Sequence, residues 1–360
     1  MINVCFFNSE KKWGGGEKWH FKMAKLFSGQ GYNVILAGRN NSELLLKAHR
    51  ENMNIRGFNI GKYSFLNIVK IFQIYKFLKK NNIDTIFMNS SIDLKLCFIP
   101  CKMAGIKNVV YRRGMPHPIK NTLLNRLIFS EMLTKLIVNS KEIERSIFIN
   151  NDKIISKDKV LLLYNGIDKN DYKNNGKKLY NNDESLVIFG NSGRLVEQKG
   201  QIHLLEAAKI LKEKGHSFRI LIAGKGKLED YLKEKINEYN LNDEVILLGF
   251  IDKIEEFMNS MDIFVFPSYF EGSANAIVEA MYFGKPVVCF DVSSMPELVE
   301  DNENGYLVEY HNIDELARKM EKFLENPELI GKMGKKSKEL SEDYDILKIM
   351  KKLENSILEG

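Results

Sequence analysis

The sequence alternates short apolar runs with longer amphipathic stretches along most of its length. In the first half the apolar runs predict seven strands separated by helical periodicity, at residues 2–7, 33–37, 54–59, 84–88, 108–112, 135–139 and 160–163. A second series of strands and helices begins at residue 186. This alternation is typical of parallel α/β sheets. We therefore predict an α/β fold of two doubly wound domains.

The length of 360 residues supports two domains, because it exceeds what one hydrophobic core usually holds. Residues 168–184 are polar, rich in Asn and Lys, and lack periodicity, so we take them to contain the boundary. The predicted domains are residues 1–175 and 176–345. Parallel sheets bind ligands at the carboxyl ends of their strands, so we expect the ligand site in the cleft between the two domains.

Residues 266–290, FPSYFEGSANAIVEAMYFGKPVVCF, predict a strand, a glycine turn and a helix. Ser273 or Asn275 can cap this helix, and the open N–H groups of its first turn suit a phosphate or a sugar oxygen. Glu271 precedes the helix and Glu279 lies about two turns along it, so both carboxylates can face one cleft. The alternative is that Glu279 is a solvated helix residue.

A second segment, residues 187–208, reads VIFGNSGRLVEQKGQIHLLEAA. It runs a strand into a Gly193-Arg194 turn and then passes Lys199-Gly200 into a helix. Together the two segments resemble the retaining glycosyltransferases of family 4, whose donor domain carries G-R-L-x-x-x-K-G followed by E-G-x-x-x-x-x-x-E-A-M. The resemblance covers nearly all of the second half. In the first half only the glycine loop near Gly14 and residues 165–168 are similar.

The resemblance implies the GT-B fold, in which two Rossmann-like domains face each other across a cleft. It implies a retaining glycosyltransferase that moves a hexose from a UDP- or GDP-sugar to a cell-envelope glycan or lipid-linked acceptor, as in lipopolysaccharide or polysaccharide biosynthesis. In this family the last helix, residues 346–358, packs back on the first domain. The alternatives are a GT-B sugar-nucleotide epimerase or phosphorylase and a non-catalytic GT-B scaffold subunit.

The resemblance also assigns roles to residues. Arg194 and Lys199 would stabilise the charge that develops on the departing β-phosphate. Glu271 would hold the sugar, and Glu279 would accept hydrogen bonds from the ribose hydroxyls. The other donor-binding residues would be Gly15, Gly16, Gly193, Gly224, Gly272, Ser273, Ala274 and Asn275. We expect no cofactor and no metal, because the only Asp-x-Asp, residues 343–345, more plausibly caps the last helix.

The glycine loop at residues 13–17 lets backbone approach a ligand closely. It is not G-x-G-x-x-G, and Gly38-Arg39-Asn40 stands where an NAD ribose would need an acidic residue, so a Rossmann dehydrogenase is disfavoured. By resemblance the loop would lie under the donor diphosphate or beside the acceptor. A simple tight turn is the alternative.

Residues 111–118, YRRGMPHP, stand where many family members have a histidine that touches the donor sugar. Here Arg113 occupies the nearest equivalent place, and His117 follows between two prolines. Adjacent Arg112 and Arg113 suit a phosphate or carboxylate, so the acceptor is expected to be anionic. His117 as a structural loop residue remains an equal alternative to His117 in the active site.

Charge divides the chain unevenly. Residues 1–175 hold 29 Lys and Arg against 13 Asp and Glu, a net +16, which leaves a net −10 for the rest. The predicted helix at residues 65–80 combines an apolar face with Lys70, Lys76, Lys79 and Lys80, which permits docking on an anionic membrane surface. A core-facing helix with a solvated basic edge is the alternative. No base-reading motif accompanies the charge, so we expect no nucleic-acid partner.

The chain opens on a strand pattern, and no apolar run approaches the roughly 20 residues of a spanning helix. We therefore expect a cytoplasmic protein, peripheral at most to the inner face of the cell membrane. The four cysteines, Cys5, Cys97, Cys101 and Cys289, stand in apolar surroundings without metal-type spacing, which indicates buried free thiols.

Overall fold

The computed structural model describes residues 2–149, 153–172, 176–181 and 186–358. The chain divides into two compact units, Met1–Asn165 with Ile349–Gly360, and Gly166–Lys348. Each unit is built on one parallel β-sheet with helices between successive strands. The predicted α/β class with two Rossmann-like domains is confirmed.

The sheet of the first unit has the order β3-β2-β1-β4-β5-β6-β7, and every pairing in it is parallel. Its strands are β1 Asn3–Asn8, β2 Asn33–Arg39, β3 Ile55–Phe58, β4 Thr85–Met88, β5 Asn108–Arg113, β6 Lys135–Val138 and β7 Val160–Leu162. They lie at the seven predicted places. The central strands are buried on both faces, which explains their nearly continuous apolar sequences.

The helices of the first unit are α1 Gly15–Gly29, α2 Glu43–Arg50, α3 Ile68–Lys80, α4 Ser91–Ala104, α5 Leu123–Leu127 and α6 Lys141–Phe148, and a π-helical turn, Ile128–Met132, continues α5. Each helix from α2 to α6 begins at a Ser, Thr or Asn whose side chain accepts a first-turn N–H. Helix α1 instead follows Gly14 and has no side-chain cap.

The second unit has the strand order β10-β9-β8-β11-β12-β13, again all parallel. Its strands are β8 Val187–Ser192, β9 Phe218–Ala223, β10 Val245–Gly249, β11 Ile263–Phe266, β12 Val287–Phe290 and β13 Gly305–Val308. Its helices are α7 Gln201–Glu213, α8 Glu229–Glu238, α9 Ile254–Asn259, α10 Asn275–Tyr282, α11 Ile313–Glu325 and α12 Glu328–Ser341.

The units divide between Asn165 and Gly166, earlier than the predicted boundary at residue 175. The reason is that Ile167 pairs with the end of the chain: its N–H donates to Tyr344 O at 2.7 Å, and its carbonyl accepts from Ile346 N at 3.0 Å. Gly166 permits this approach, because a Cβ there would lie 2.6 Å from Ile346 Cα. Part of the predicted linker, residues 173–175 and 182–184, lies outside the described residues.

The last helix, α13 Ile346–Leu358, begins in the second unit, and its residues from Ile349 onward belong to the first. Lys352 Nζ donates to Leu162 O at 3.1 Å, and Tyr32 OH donates to Glu354. Asp345 Oδ1 accepts from Leu347 N at 2.9 Å, which is the capping role predicted for this acidic segment.

The four cysteines are buried and unpaired. Burial raises the pKa of the Cys101 thiol to about 12, and it raises the pKa of the other three as well. These thiols therefore stay protonated and fill the core as small apolar side chains.

Candidate functional site

Most of the predicted donor residues of the second unit lie on two loops that leave neighbouring strands. One loop follows β8 and carries Gly193, Arg194 and Lys199; the other follows β11 and carries Glu271. Strands β8 and β11 are adjacent and parallel, so both loops start from the same edge of the sheet. This edge is where parallel sheets bind ligands.

Glycines allow the loop after β8 to pack tightly on the loop after β9. Gly193 N donates to Ala223 O at 2.9 Å. Gly224 has a φ of +147°, and a Cβ on it would lie only 1.8 Å from Gly193 O. No residue with a side chain fits there without moving the backbone, so Gly224 shapes the site through close approach.

The two site loops are also joined to each other. Gly200 adopts a φ of +62°, and a Cβ on it would lie 2.0 Å from Pro267 O. Tyr269 N and Ser268 Oγ both donate to Gln198 O, at 2.8 and 2.9 Å. These contacts hold the residues of the two motifs in a fixed arrangement.

Lys199 and Glu271 form an ion pair at the junction of the loops. The distance from Lys199 Nζ to Glu271 Oε1 is 2.6 Å, and the two side chains are only 15% and 10% exposed. Ser268 Oγ donates to the same carboxylate oxygen at 2.6 Å. The ammonium group also lies 4.9 Å from the centre of the Phe266 ring. The resulting site is polar, charged and partly shielded from water.

Arg194 lies on the same loop in a different environment. Its side chain is exposed and makes no hydrogen bond or ion pair with the described residues. Its backbone carbonyl accepts from Gln201 Nε2 at 3.2 Å, which fixes the loop and leaves the guanidinium group available. An available guanidinium group is suited to bidentate binding of a phosphate.

Helix α10 begins at Asn275, and no side chain caps it. The N-cap position is Ala274 rather than the predicted Ser273 or Asn275, and Ser273 Oγ donates to Asn275 Oδ1 at 3.1 Å. Gly272 and Ser273 are half-buried and Ala274 is buried just before the helix. The positive end of the helix dipole thus remains open to a ligand.

Glu279 lies within α10, and its side chain is half-buried. Tyr172 OH donates to Glu279 Oε1 at 3.1 Å. The Tyr172 ring packs against Tyr282 and Phe283, with centroids 5.6 and 5.5 Å away. Burial, and then the Glu279 carboxylate, raise the pKa of Tyr172, so the phenol remains a hydrogen-bond donor. Glu279 is therefore more than a solvated helix residue.

Tyr172 is a site residue that the sequence analysis missed. The signal in the sequence is an aromatic residue inside the polar segment that the sequence analysis interprets as a linker. A large aromatic side chain in a polar segment usually packs on a neighbouring element. The Tyr172 ring packs at the end of α10.

In the first unit the glycine loop leads directly into α1. A Cβ on Gly15 would meet no atom within 4 Å, whereas one on Gly16 would overlap the Asn89 side chain at 1.9 Å. Glu17 is buried in the first turn of α1 and accepts from Asn8 Nδ2 at 2.9 Å. A carboxylate of the protein itself thus already lies at the start of this helix.

Arg112 and Arg113 point to opposite faces of β5, as neighbouring strand residues do. Arg112 is buried and donates to Asn89 Oδ1 at 3.1 Å and to Asn165 Oδ1 at 2.8 Å. Burial lowers its pKa to about 10. Arg113 donates to the backbone carbonyl of His117, whose own side chain is exposed. The two arginines therefore do not form the joint anion site expected from their adjacency.

The described part of the chain contains no group of three or more His, Cys, Asp or Glu residues placed to hold a metal ion. None of the helices described is long and apolar enough to cross a membrane.

The chain is similar to known glycosyltransferases. Residues 172–340 match the family Glycosyl transferases group 1. An uncharacterized glycosyltransferase of Haemophilus influenzae is 27% identical over 349 residues, which are 94% of each chain. The N-acetylgalactosamine-N,N'-diacetylbacillosaminyl-diphospho-undecaprenol 4-alpha-N-acetylgalactosaminyltransferase of Campylobacter jejuni is 32% identical over 237 residues, 64% of this chain and 62% of the relative.

Among solved structures, Anabaena Alr3699/HepE in complex with UDP and glucose has a TM-score of 0.78 over 99% of both chains, at 20% sequence identity. At this identity the likeness shows the fold, which is GT-B. Two parallel-sheet units with these loops on the second are typical of the GT-B fold. The second unit carries the pattern of the glycosyl transferases group 1, which residues 172–340 match. The resemblance to glycosyltransferases with the GT-B fold that was stated from the sequence is confirmed.

Proposed function

We propose that the protein is a retaining, metal-independent glycosyltransferase that moves a hexose from a UDP- or GDP-sugar to a cell-envelope glycan or lipid-linked acceptor. The acceptor would belong to lipopolysaccharide or polysaccharide biosynthesis, and transfer would take place at the anionic inner face of the membrane. The observation that carries the proposal is the Lys199–Glu271 pair beside the available Arg194, on two loops joined at one sheet edge.

Charge is the basis of catalysis in this proposal. As the bond between the sugar carbon and the β-phosphate oxygen breaks, negative charge grows on the phosphate. Arg194, Lys199 and the uncapped start of α10 supply positive charge at that place. Because Lys199 already pairs with Glu271, the ammonium group is held in position before the donor binds.

The remaining donor contacts are assigned from the resemblance to the family. Glu271 and Glu279 accept hydrogen bonds from hydroxyl groups of the sugar and the ribose, and Gly193, Gly224 and Gly272 let backbone approach the diphosphate. Gly15 and Gly16 would contact the donor or the acceptor from the first unit. The acceptor oxygen bonds to the sugar carbon on the face that the phosphate leaves, and its proton passes to the departing phosphate. No protein nucleophile is assigned.

The acceptor class rests on similarity and charge. The Campylobacter relative is named for a diphospho-undecaprenol acceptor. The net +16 of the first half favours an acceptor or surface that carries phosphate or carboxylate groups. Arg113, the last residue of β5, and His117, on the loop that follows, are the proposed acceptor-side residues, because the His117 side chain is exposed and Arg113 donates to the His117 carbonyl.

A screen of nucleotide sugars by thermal shift and by hydrolysis tests the proposal. We expect one UDP- or GDP-sugar to raise the melting temperature and to be hydrolysed slowly or transferred. Formation of the sugar epimer would instead indicate an epimerase, and binding without turnover a scaffold subunit. Turnover should persist in EDTA, since protein cations supply the charge; a strict need for Mg²⁺ or Mn²⁺ would contradict metal independence.

A further inference from the structure

The first turns of α3 and the segment before them expose five large apolar side chains. Tyr63, Leu66, Ile68, Val69 and Phe72 are 66%, 72%, 78%, 61% and 47% exposed. We call these five residues the α3 patch. Soluble proteins normally expose large apolar residues singly, so five of them within ten residues of sequence indicate a surface that binds a protein or a membrane.

Only part of the core-facing prediction for this helix is right. Ile74, Phe77 and Leu78 are buried against the sheet, as that interpretation requires. The opposite face of the helix carries Ile68 and Phe72, and further along it Lys76, Lys79 and Lys80. The exposed face is therefore apolar at its beginning and basic at its end.

The basic end borders a groove between α3 and the edge strand β3, with a volume of about 500 Å³. Its charged lining residues are Arg56, Lys76 and Lys80, and none is acidic. Lys76 Nζ lies 4.7 Å from the centre of the Phe72 ring, which joins the groove to the α3 patch. Residues 52–83 contain no Asp or Glu at all, so the cations around the patch have no local acidic partner in sequence.

We propose that the α3 patch inserts into the headgroup region of a lipid bilayer whose phosphates contact the α3 lysines and Arg56. Apolar side chains that penetrate beside cations are the combination that binds anionic membrane surfaces. The charge of this surface favours an anionic bilayer over a second copy of the chain. The same surface of a second copy would bring the same cations to the contact, and these would repel each other. The inference deepens the proposed function, since it names the surface through which the enzyme would reach a lipid-linked acceptor.

Insertion and simple electrostatic adsorption differ in their response to salt. Adsorption through lysines disappears when the Debye length falls from about 10 Å at about 0.1 M salt to about 3 Å at about 1 M. Apolar insertion persists at high salt. We therefore expect the wild-type protein to retain a salt-resistant fraction of its binding to vesicles of equal phosphatidylglycerol and phosphatidylethanolamine, measured by flotation.

A triple variant, Ile68→Gln with Val69→Gln and Phe72→Gln, tests the patch itself, because Gln keeps helix propensity and removes the apolar surface. We expect its partition onto these vesicles to fall by about tenfold or more at high salt, as loss of buried apolar area requires. Leu46→Gln with Leu347→Gln is the matched control, since both leucines are exposed on other helices. Circular dichroism checks that both variants fold.

A site-specific probe separates insertion from surface contact. The native cysteines are buried, so Ile68→Cys can be labelled selectively with a polarity-sensitive dye. Quenching by a nitroxide on the lipid acyl chain supports insertion, and the same dye at Leu46→Cys should remain unquenched. Equal binding by wild type and triple variant, no binding by either, or a dye at residue 68 that stays unquenched would overturn the proposal. So would a wild-type dimer that the triple variant converts to monomer, because a second copy would then cover the patch.

Hydrolysis of a nucleotide sugar, measured without vesicles, distinguishes a failure of the membrane inference from a failure of the proposed function. The α3 patch is not part of the site on the second unit, so the triple variant should hydrolyse the donor as the wild type does. Vesicle binding without donor hydrolysis would contradict the transferase proposal and leave the membrane surface standing. Hydrolysis without vesicle binding would contradict the inference drawn here.

Discussion

Arg194 and Lys199 are predicted to do the same work, yet their environments in the structure differ. Arg194 is exposed and has no partner among the described residues, whereas Lys199 is largely buried and pairs with Glu271. Removing one partner of a buried ion pair lowers stability, because the other charge is left buried without its partner. Removing an exposed charge has little effect on stability. The two residues should therefore separate activity from folding.

We expect Arg194→Ala to lower kcat/KM by about 100-fold or more, as removal of a charge-stabilising group does, with an unchanged free energy of unfolding. Lys199→Ala should lose activity to a similar extent and also lose about 1–3 kcal/mol of stability, because the Ser268 hydroxyl is then the remaining partner of the Glu271 carboxylate among the described residues. Steady-state kinetics and urea unfolding measure both quantities.

Lys209→Ala, an exposed lysine on α7, is the control for removing a cation from the same unit. Adding Glu271→Gln to Lys199→Ala should recover stability without recovering turnover. Activity within a few-fold of wild type for either single variant would remove that residue from the catalytic assignment.

Tyr172 acts on the site through Glu279, so we expect it to affect donor binding more than the chemical step. Tyr172→Phe removes the hydroxyl that donates to the Glu279 carboxylate and keeps the ring that packs on α10. Since a hydrogen bond to a charged group contributes about 1.5–3 kcal/mol, KM for the nucleotide sugar should rise by about tenfold with kcat nearly unchanged. Tyr282→Phe is the control, because the Tyr282 hydroxyl makes no hydrogen bond to the described residues. Equal KM values in the two variants would show that Tyr172 does not orient Glu279.

The sequence was most informative for residues whose spacing is itself the signal. Arg194, Lys199 and Glu271 stand in motifs, and the structure brings their loops together. Tyr172 could not be found in this way, because its role depends on a contact with a residue 107 positions later in the chain. The Arg112-Arg113 pair shows the converse limit, since adjacency on a strand directs side chains to opposite faces.

At the scale of elements, β1, α1 and β4 meet in an aromatic layer that encloses a histidine. Phe6 stacks on Phe87 with centroids 4.7 Å apart, and His20 lies 5.6 Å from both Phe6 and Trp19. His20 is fully buried, and neither ring nitrogen has a hydrogen-bond partner among the described residues. Burial, and then the charge of Arg112, lower the pKa of His20 to about 3.

This layer predicts an acid-sensitive fold. Because the pKa of His20 is depressed in the folded state, its neutral form is stable above the unfolded value near 6.5, and stability is lost as pH falls from there toward 3. We expect the protonation of His20 alone to lower the free energy of unfolding by about 2 kcal/mol between pH 7 and about pH 5. The difference should be absent in His20→Phe and retained in His49→Gln, which changes an exposed histidine. Urea unfolding at both pH values measures it, and an equal pH dependence of wild type and His20→Phe would contradict the assignment.

The strands of both sheets follow their apolar runs because each central strand is buried on both faces. Helix faces were harder to predict. In α3 the sequence offers apolar residues on nearly every side, and periodicity alone does not show which side the sheet covers. The start of α10 also differs from the prediction, because Ala274 occupies the N-cap position and the Ser273 hydroxyl donates to Asn275.

At the scale of the whole molecule, the two units differ in charge as strongly as the two halves of the sequence do. The first unit, Met1–Asn165 with Ile349–Gly360, has 29 Lys and Arg and 13 Asp and Glu, a net +16. The second has a net −10. Attraction to an anionic surface is therefore expected to act through the first unit, and most strongly near α3, where acidic residues are absent from the sequence between Glu51 and Asp84.

The last prediction concerns this electrostatic contribution. Lys76, Lys79 and Lys80 are exposed at the end of α3, whereas Lys70 is half-buried and donates to Ser64 Oγ at 3.1 Å. The variant that tests membrane attraction should therefore change the first three lysines to Gln and keep Lys70, which holds the turn before the helix.

Each lysine near an anionic surface contributes about 1 kcal/mol, so the triple lysine variant should bind anionic vesicles at least about tenfold more weakly at low salt. Its binding should also respond less to salt, because fewer charges remain to be screened. Lys332→Gln with Lys335→Gln and Lys348→Gln changes the net charge equally on the second unit and should bind as the wild type does. Co-sedimentation at low and high salt measures all three proteins; if both variants weaken binding equally, total charge rather than the α3 surface attracts the membrane, and if neither does, electrostatic docking through the first unit is wrong.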